Sequence, residues 1–168
     1  MSELPYSSIP PLPKEISSTH VIARMIDGLG FRYYWATDGL TEKEIDFRPE
    51  KDSRNMLELL GHIYHLAFAA NNVLGGHMKK KTDLSTYEEF RAETLYLYKD
   101  LSDRLKVMPD EELENYNYMG ASQSFPFWYL LNGQIADALT HVGQVVSWRR
   151  ISGNPQPKGV NVFLGKKS

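Results

Sequence analysis

Residues 56–74, MLELLGHIYHLAFAANNVL, are apolar almost all the way round at helical spacing, and no other feature constrains the fold as much. A helix of that kind is stable only when other elements cover it, so the rest of the chain has to supply them. Asn55 with Glu58 three residues later forms a capping box at its start, and Gly75-Gly76 stops it. Three further segments carry a helical pattern. Helix 1 begins at Ser17 or Ser18 and runs to about Thr37. Helix 3 begins near Ser85, with Glu88 as box partner, and ends before Pro109. Helix 4 runs from around Phe125-Pro126 to near Ser152, stopped by Gly153 and Pro155. No set of alternating strands competes with these four, so the expectation is an all-α four-helix bundle spanning residues 17–155. An extended leader, residues 1–16, holds Pro5, Pro10, Pro11 and Pro13. The tail, residues 156–168, offers Val160, Val162, Phe163 and Leu164 for docking on the bundle. Gly28 and Gly30 weaken helix 1 intrinsically and point to a close helix contact there. Residues 38–54 and 107–124 read as connections.

Composition narrows the chemistry. Lys and Arg total 19 against 21 Asp and Glu, a net charge of −2, which offers no electrostatic case for nucleic acid or an anionic membrane. There is no cysteine, so disulfides, thiolate metal sites and cysteine nucleophiles are excluded. Any metal must sit on His, Asp or Glu. The N-terminus lacks the basic-then-apolar pattern of a signal peptide, and no apolar run approaches the roughly 20 residues that span a bilayer. A cytoplasmic protein is expected.

Helix 4 carries an anomaly. With Asp137 at zero and one residue per ~100°, His141 falls at roughly 40°, Gln134 at about 60° and Gln144 at about −20°. Leu130 and Trp148 close the two ends of this polar stripe. Leu131, Ile135, Ala138, Val142 and Val145 form a core face on one side. Ala136, Thr140, Gly143 and Ser147 lie on the other side, small enough for a helix to approach. Buried polar groups cost about 1–3 kcal/mol each unless partnered. Helix 2 supplies a matching line of Glu58, His62, His65, Ala69 and Asn72. Asp137 and His141, one turn apart, can share one ion, and His62 would complete a two-histidine, one-carboxylate face with open positions.

Plainer readings exist for each residue. A buried histidine such as His62 or His65 is commonly a hydrogen-bonded core residue, and Asp137 could simply hold His141 or pair with an Arg. Glu58 serves equally well as a cap. His20 and His77 read as solvated, and Arg149-Arg150 as complements to the helix dipole. A ferritin-like di-iron site is disfavoured because Glu58 and His62 are four apart, not three.

The motifs Leu59-Leu60-Gly61-His62-Ile63 and Asp137-x-x-x-His141-Val142-Gly143-Gln144 resemble those of the DinB-like family of metal-binding four-helix bundles. The resemblance runs from helix 1 to about Pro155. It implies an up-down-down-up bundle in which helices 2 and 3 are parallel, joined by a nearly extended Gly75–Leu84 link. It further implies a homodimer and a mononuclear divalent ion (Zn, Ni, Fe or Mn) on His62, Asp137 and His141. Glu58, His65, Gln134 and Gln144 would then support the ion or line the pocket. The activities it implies are those of a metal-dependent hydrolase or a thiol S-transferase acting on a small molecule. One departure stands out: Asp137 occupies a position where the family usually has histidine, which favours harder ions. The alternative is a non-catalytic bundle, free of metal, that binds a small ligand or a partner.

Overall fold

The computed structural model describes residues 3–77 and 79–168; the first two residues of the expected leader and Met78 of the link lie outside them. Four long helices carry the fold: α1 (Ser18–Thr37), α3 (Met56–Val73), α4 (Tyr87–Leu105), and a last helix built in pieces. That last helix opens as α6 (Trp128–Leu130), passes through a π-helical segment (Leu131–Ile135) and continues as α7 (Ala136–Ile151). Short helices α2 (Glu42–Ile45) and α5 (Asp110–Glu114) interrupt the two expected connections. Two small antiparallel hairpins complete the chain, β1 (Asn117–Met119) with β2 (Ser124–Pro126), and β3 (Val160–Asn161) with β4 (Lys166–Lys167).

The boundaries follow local chemistry. Ser17 accepts the His20 amide at 3.3 Å and starts α1. The Asn55/Glu58 box is formed in both directions at 2.7 and 2.8 Å. Helix α4 starts one residue later than expected, because Thr86 with Glu89 wins over Ser85 with Glu88: Glu89 accepts from both the Ser85 and Thr86 amides at 2.9 Å. Gly75 and Gly153 adopt positive φ (76° and 93°), the left-handed conformation that ends α3 and α7.

Helix packing runs α1 on α4, α4 on α3, α3 on α7 and α7 on α1. Their apolar faces share one core, including Ile26, Tyr33, Met56, Leu60, Ile63, Leu97, Leu101 and Val145. Polar contacts fix which ends meet. Arg104 at the end of α4 donates to Asn71 O at 3.0 Å and also reaches Leu74 O at the end of α3. Arg91 at the start of α4 donates to Thr37 Oγ1 at 3.0 Å at the end of α1. Arg149, 1% exposed, donates to the α1 carbonyls of Trp35 and Ala36 at 3.1 and 2.8 Å and to Asn154 O at 2.7 Å. This corrects the expectation for Arg149: it satisfies the free carbonyls of a neighbouring helix rather than complementing its own. Asn154 in turn donates to buried Glu44 at 2.9 Å, and Lys43 reaches Ser152 O.

Two other expectations are revised. Helix α3 is not enclosed on all sides: Glu58, His65 and Asn72 are exposed, so its polar line faces solvent. The small-residue face of α7 is also uncovered; Ala136, Thr140, Gly143 and Ser147 are exposed, and a Cβ on Gly143 would meet nothing within 4 Å. The tail meets the leader through Gly165, whose carbonyl accepts Ile9 N at 2.8 Å, while Val162, Phe163 and Leu164 stay exposed.

Among its described residues the leader contains no helix, in keeping with its prolines, but it is anchored. Tyr6, at φ 75°, is 4% exposed and lays its ring across Gly30. Its hydroxyl donates to buried Asp27 at 3.0 Å, which also accepts from Ser102 at 2.6 Å and pairs with Lys106 at 2.9 Å. The close approach at Gly30 is therefore made by a leader side chain and not by a helix.

Two predictions follow from these anchors. A Cβ at Gly30 would lie 2.6 Å from Tyr6 Cε2, whereas one at Gly28 would meet only Arg32 Nη1 at 3.4 Å. Gly28→Ala should therefore stabilise by up to about 1 kcal/mol through helix propensity, and Gly30→Ala should destabilise by about 2 kcal/mol despite the same propensity gain. Urea unfolding of both variants checks the opposite signs. Second, burial opposes ionisation of Glu44, but hydrogen bonds from Asn154 and Thr41 outweigh it and hold its pKa at about 2, below the ordinary 4.5. Its contribution is thus complete above about pH 4.5 and fades as pH falls towards about 2. Glu44→Gln should flatten the loss of stability across that window, and an unchanged slope in acid titration of the unfolding midpoint would refute the assignment.

Candidate metal centre

His62 lies two turns into α3, on the edge that faces α7, and Asp137 and His141 sit one turn apart at the start of α7. Their ligand-capable atoms all fall within 4.8 Å of one another, a group that could hold a metal ion. His62 Nε2 stands 3.4 Å from Asp137 Oδ2, and His141 Nε2 stands 3.3 Å from Asp137 Oδ1. The two imidazoles meet edge to face, centroids 4.7 Å apart at 83°. Side-chain exposure is 27% for His62, 44% for Asp137 and 14% for His141, so one side of the group is open to solvent.

The spacing bears on what the group can hold. A direct charge-assisted N–H···O bond runs at about 2.7–2.9 Å. Two donors on a common tetrahedral ion, with bonds of about 2.0–2.2 Å, stand about 3.4 Å apart. The observed 3.4 and 3.3 Å contacts are longer than a direct bond of that kind, and they run to the two different Asp137 oxygens. His141 Nδ1 lies 2.7 Å from Gln144 Oε1, and an amide oxygen only accepts, so Nδ1 is the donor in this bond and Nε2 is the nitrogen that faces the group. Burial chiefly, helped by the charges of Arg54 and His141, lowers the His62 pKa against the pull of Asp137, which favours the neutral, ligating imidazole.

The remaining candidates fall elsewhere. Glu58 is committed to its capping box and to Arg48 at 3.1 Å, on the exposed surface. His65 is exposed beside Tyr64, and burial with the charge of Lys80 lowers its pKa. Gln134 is half-buried in the π-helical segment, and among the described residues no hydrogen bond links it to the three ligands. Gln144 alone of the four touches a ligand. Leu130 is buried in the core instead of ending the polar stripe. Each π turn takes an extra residue, so residues before Ala136 are rotated away from the angles a continuous α-helix would give them. Nothing in the amino-acid pattern signals that segment. Of the two other histidines, His77 is exposed, whereas His20 is half-buried with its Nδ1 enclosed.

Gln144→Leu should release the His141 tautomer and weaken metal affinity about 10–100-fold, read by competition with a chromogenic chelator; 15N shifts of the imidazole report the tautomer independently. Unchanged affinity with an unchanged tautomer would refute the role given to Gln144. Compared with known proteins, the chain matches no family model, no curated protein and no solved structure.

Proposed function

We propose that this chain is a mononuclear divalent-metal protein of DinB-like type, with His62, Asp137 and His141 as the protein ligands and one open side for a small-molecule substrate. The carrying observation is the convergence of one ligand-capable atom from each of the three residues to within 4.8 Å, with Gln144 holding His141 by Nδ1 so that Nε2 faces the group. Bound there, a divalent ion would lower the pKa of a water or a substrate thiol and polarise the bond to be cleaved or transferred. The aspartate adds a hard oxygen to two nitrogens, a donor set suited to Zn, Fe, Mn or Ni.

The chain's own residues set the rest. His62 and His141 bring neutral nitrogen donors from two different helices, so the site depends on how α3 and α7 pack. Asp137 supplies the charge that partly neutralises the ion. The end contacts of Arg91, Arg104 and Arg149 support an up-down-down-up order, with α3 and α4 parallel. The link between them is moored midway, where the Lys81 amide donates to Tyr64 Oη at 2.8 Å. Arg149 is spent on α1 carbonyls, so the family-type recognition of a thiol's carboxylates has no guanidinium from that position. The uncovered face of α7, with Leu139 and Ile151 exposed, is the surface we assign to a homodimer.

Dialysis of chelator-treated protein against Zn, Mn, Fe and Ni, followed by elemental analysis, should give one ion per chain. It should also raise the thermal midpoint. His62→Ala, Asp137→Ala and His141→Ala should each abolish uptake while retaining helicity. A chain that takes up none of these ions supports the non-catalytic bundle instead.

A further inference from the structure

The α1–α4 seam shares no helix with the metal group, and the leader crosses it to form two adjoining hollows. One, of about 380 Å³, is bounded by Pro10, Pro11 and Pro13 and by Lys14, Glu15, His20, Arg24, Asp27 and Lys106. The other, of about 570 Å³, shares Pro13, Glu15, His20 and Arg24 and continues over Leu12, Ile16, Val21 and Met25. Both fall within the roughly 300–1,000 Å³ typical of small-molecule sites. Together they form one groove, charged at one end and apolar at the other.

At the charged end the Asp27 carboxylate is fully engaged: Oδ1 accepts from Tyr6 and Ser102, and Oδ2 pairs with Lys106 at 2.9 Å. Arg24 commits Nη1 to Pro10 O at 2.7 Å, holding the leader wall in place and leaving the rest of its guanidinium to the groove. Counting Lys14, Arg24 and Lys106 against Glu15 and Asp27, with His20 neutral, leaves an excess of one positive charge. His20 lines the same end, its Nδ1 closed off from solvent and without a hydrogen-bond partner among the described residues. At the other end Leu12 and Ile16 are 76% and 91% exposed, and Val21 and Met25 are each 48% exposed. The wall is pre-formed, because Tyr6 and the prolines fix it without a ligand, so binding costs little ordering.

We propose that this groove binds a small carboxylate with an apolar body, of the size of a medium-chain alkanoate. The carboxylate lies among Lys14, Arg24 and His20, and the alkyl chain lies along Leu12, Ile16, Val21 and Met25. This assignment is independent of the metal centre.

Isothermal titration of the full chain with butyrate, hexanoate, octanoate and octanol tests it, with and without saturating Zn. Affinity should rise about threefold per methylene along the acid series. Octanol should bind about tenfold or more weakly than octanoate. Met25→Glu, at a half-exposed position that leaves folding intact, and Arg24→Gln should each weaken octanoate about tenfold, and Zn should change nothing. Absence of octanoate binding, equal binding of octanol, or indifference to Met25→Glu would overturn the proposal. So would a requirement for Zn, which would move the acid to the metal, or a dimer that Met25→Glu dissociates, which would make the apolar shelf a contact between copies.

Discussion

The buried guanidinium of Arg149 holds the structure in register. Removing a cation from water is costly unless its donors are all engaged, and Arg149 directs its donors onto the Trp35, Ala36 and Asn154 carbonyls and the Asn154 side chain. Those α1 carbonyls have no partner in their own helix, so each side satisfies the other. The contact fixes how far α7 runs along α1. Sliding α7 by one residue would turn Arg149 by about 100° and strand both carbonyls. His141 sits eight residues earlier, roughly 12 Å down the same rigid helix, and its depth beside His62 follows from that anchor. Asn154 and Glu44 extend the hub to α2, tying the first connection to the end of the last helix.

Polar groups are divided between two seams. The α3–α7 seam carries two imidazoles and one carboxylate, partly exposed and converging to within 4.8 Å. The α1–α4 seam carries a closed network in which Asp27 is saturated by Tyr6, Ser102 and Lys106. The Asp27 carboxylate has its donors in place, whereas the Asp137 carboxylate faces two imidazoles and solvent. The same residue type thus has opposite meanings on the two sides, and the difference lies in its partners.

Much of this was legible in the chain itself. Ser17, the Asn55/Glu58 box, and Gly75 and Gly153 mark helix ends through short-range chemistry that a sequence displays directly. The i, i+4 spacing of Asp137 and His141 brings them together on any α-helix, and His62 joins them because its helix packs beside theirs. What escaped was non-local. Tyr6 meets Gly30 across 24 positions, and Arg149 meets Trp35 across more than 100, with no periodicity to announce either contact. The small side chains at Ala136, Thr140 and Gly143 looked like a packing face, but only a neighbouring helix could make them one. Glu58 had two roles open to it, and the local cap took it.

The π-helical segment at Leu131–Ile135 reconciles two demands that a continuous α-helix cannot meet together. At about 100° per residue, Leu130 and Asp137 would share one line of the helix, seven residues apart. Leu130 is fully buried, whereas the Asp137 side chain is 44% exposed. An extra residue in the turn between them rotates Leu130 towards the core and leaves Asp137 on the rim beside His62. Leu130 and Ala138 are buried on either side of that adjustment and Ile135 at its end, so the core stays continuous across it. The backbone irregularity therefore ends two residues before Asp137. Its cost, the poorer hydrogen-bond geometry of the π turn, is offset by apolar burial on the core side.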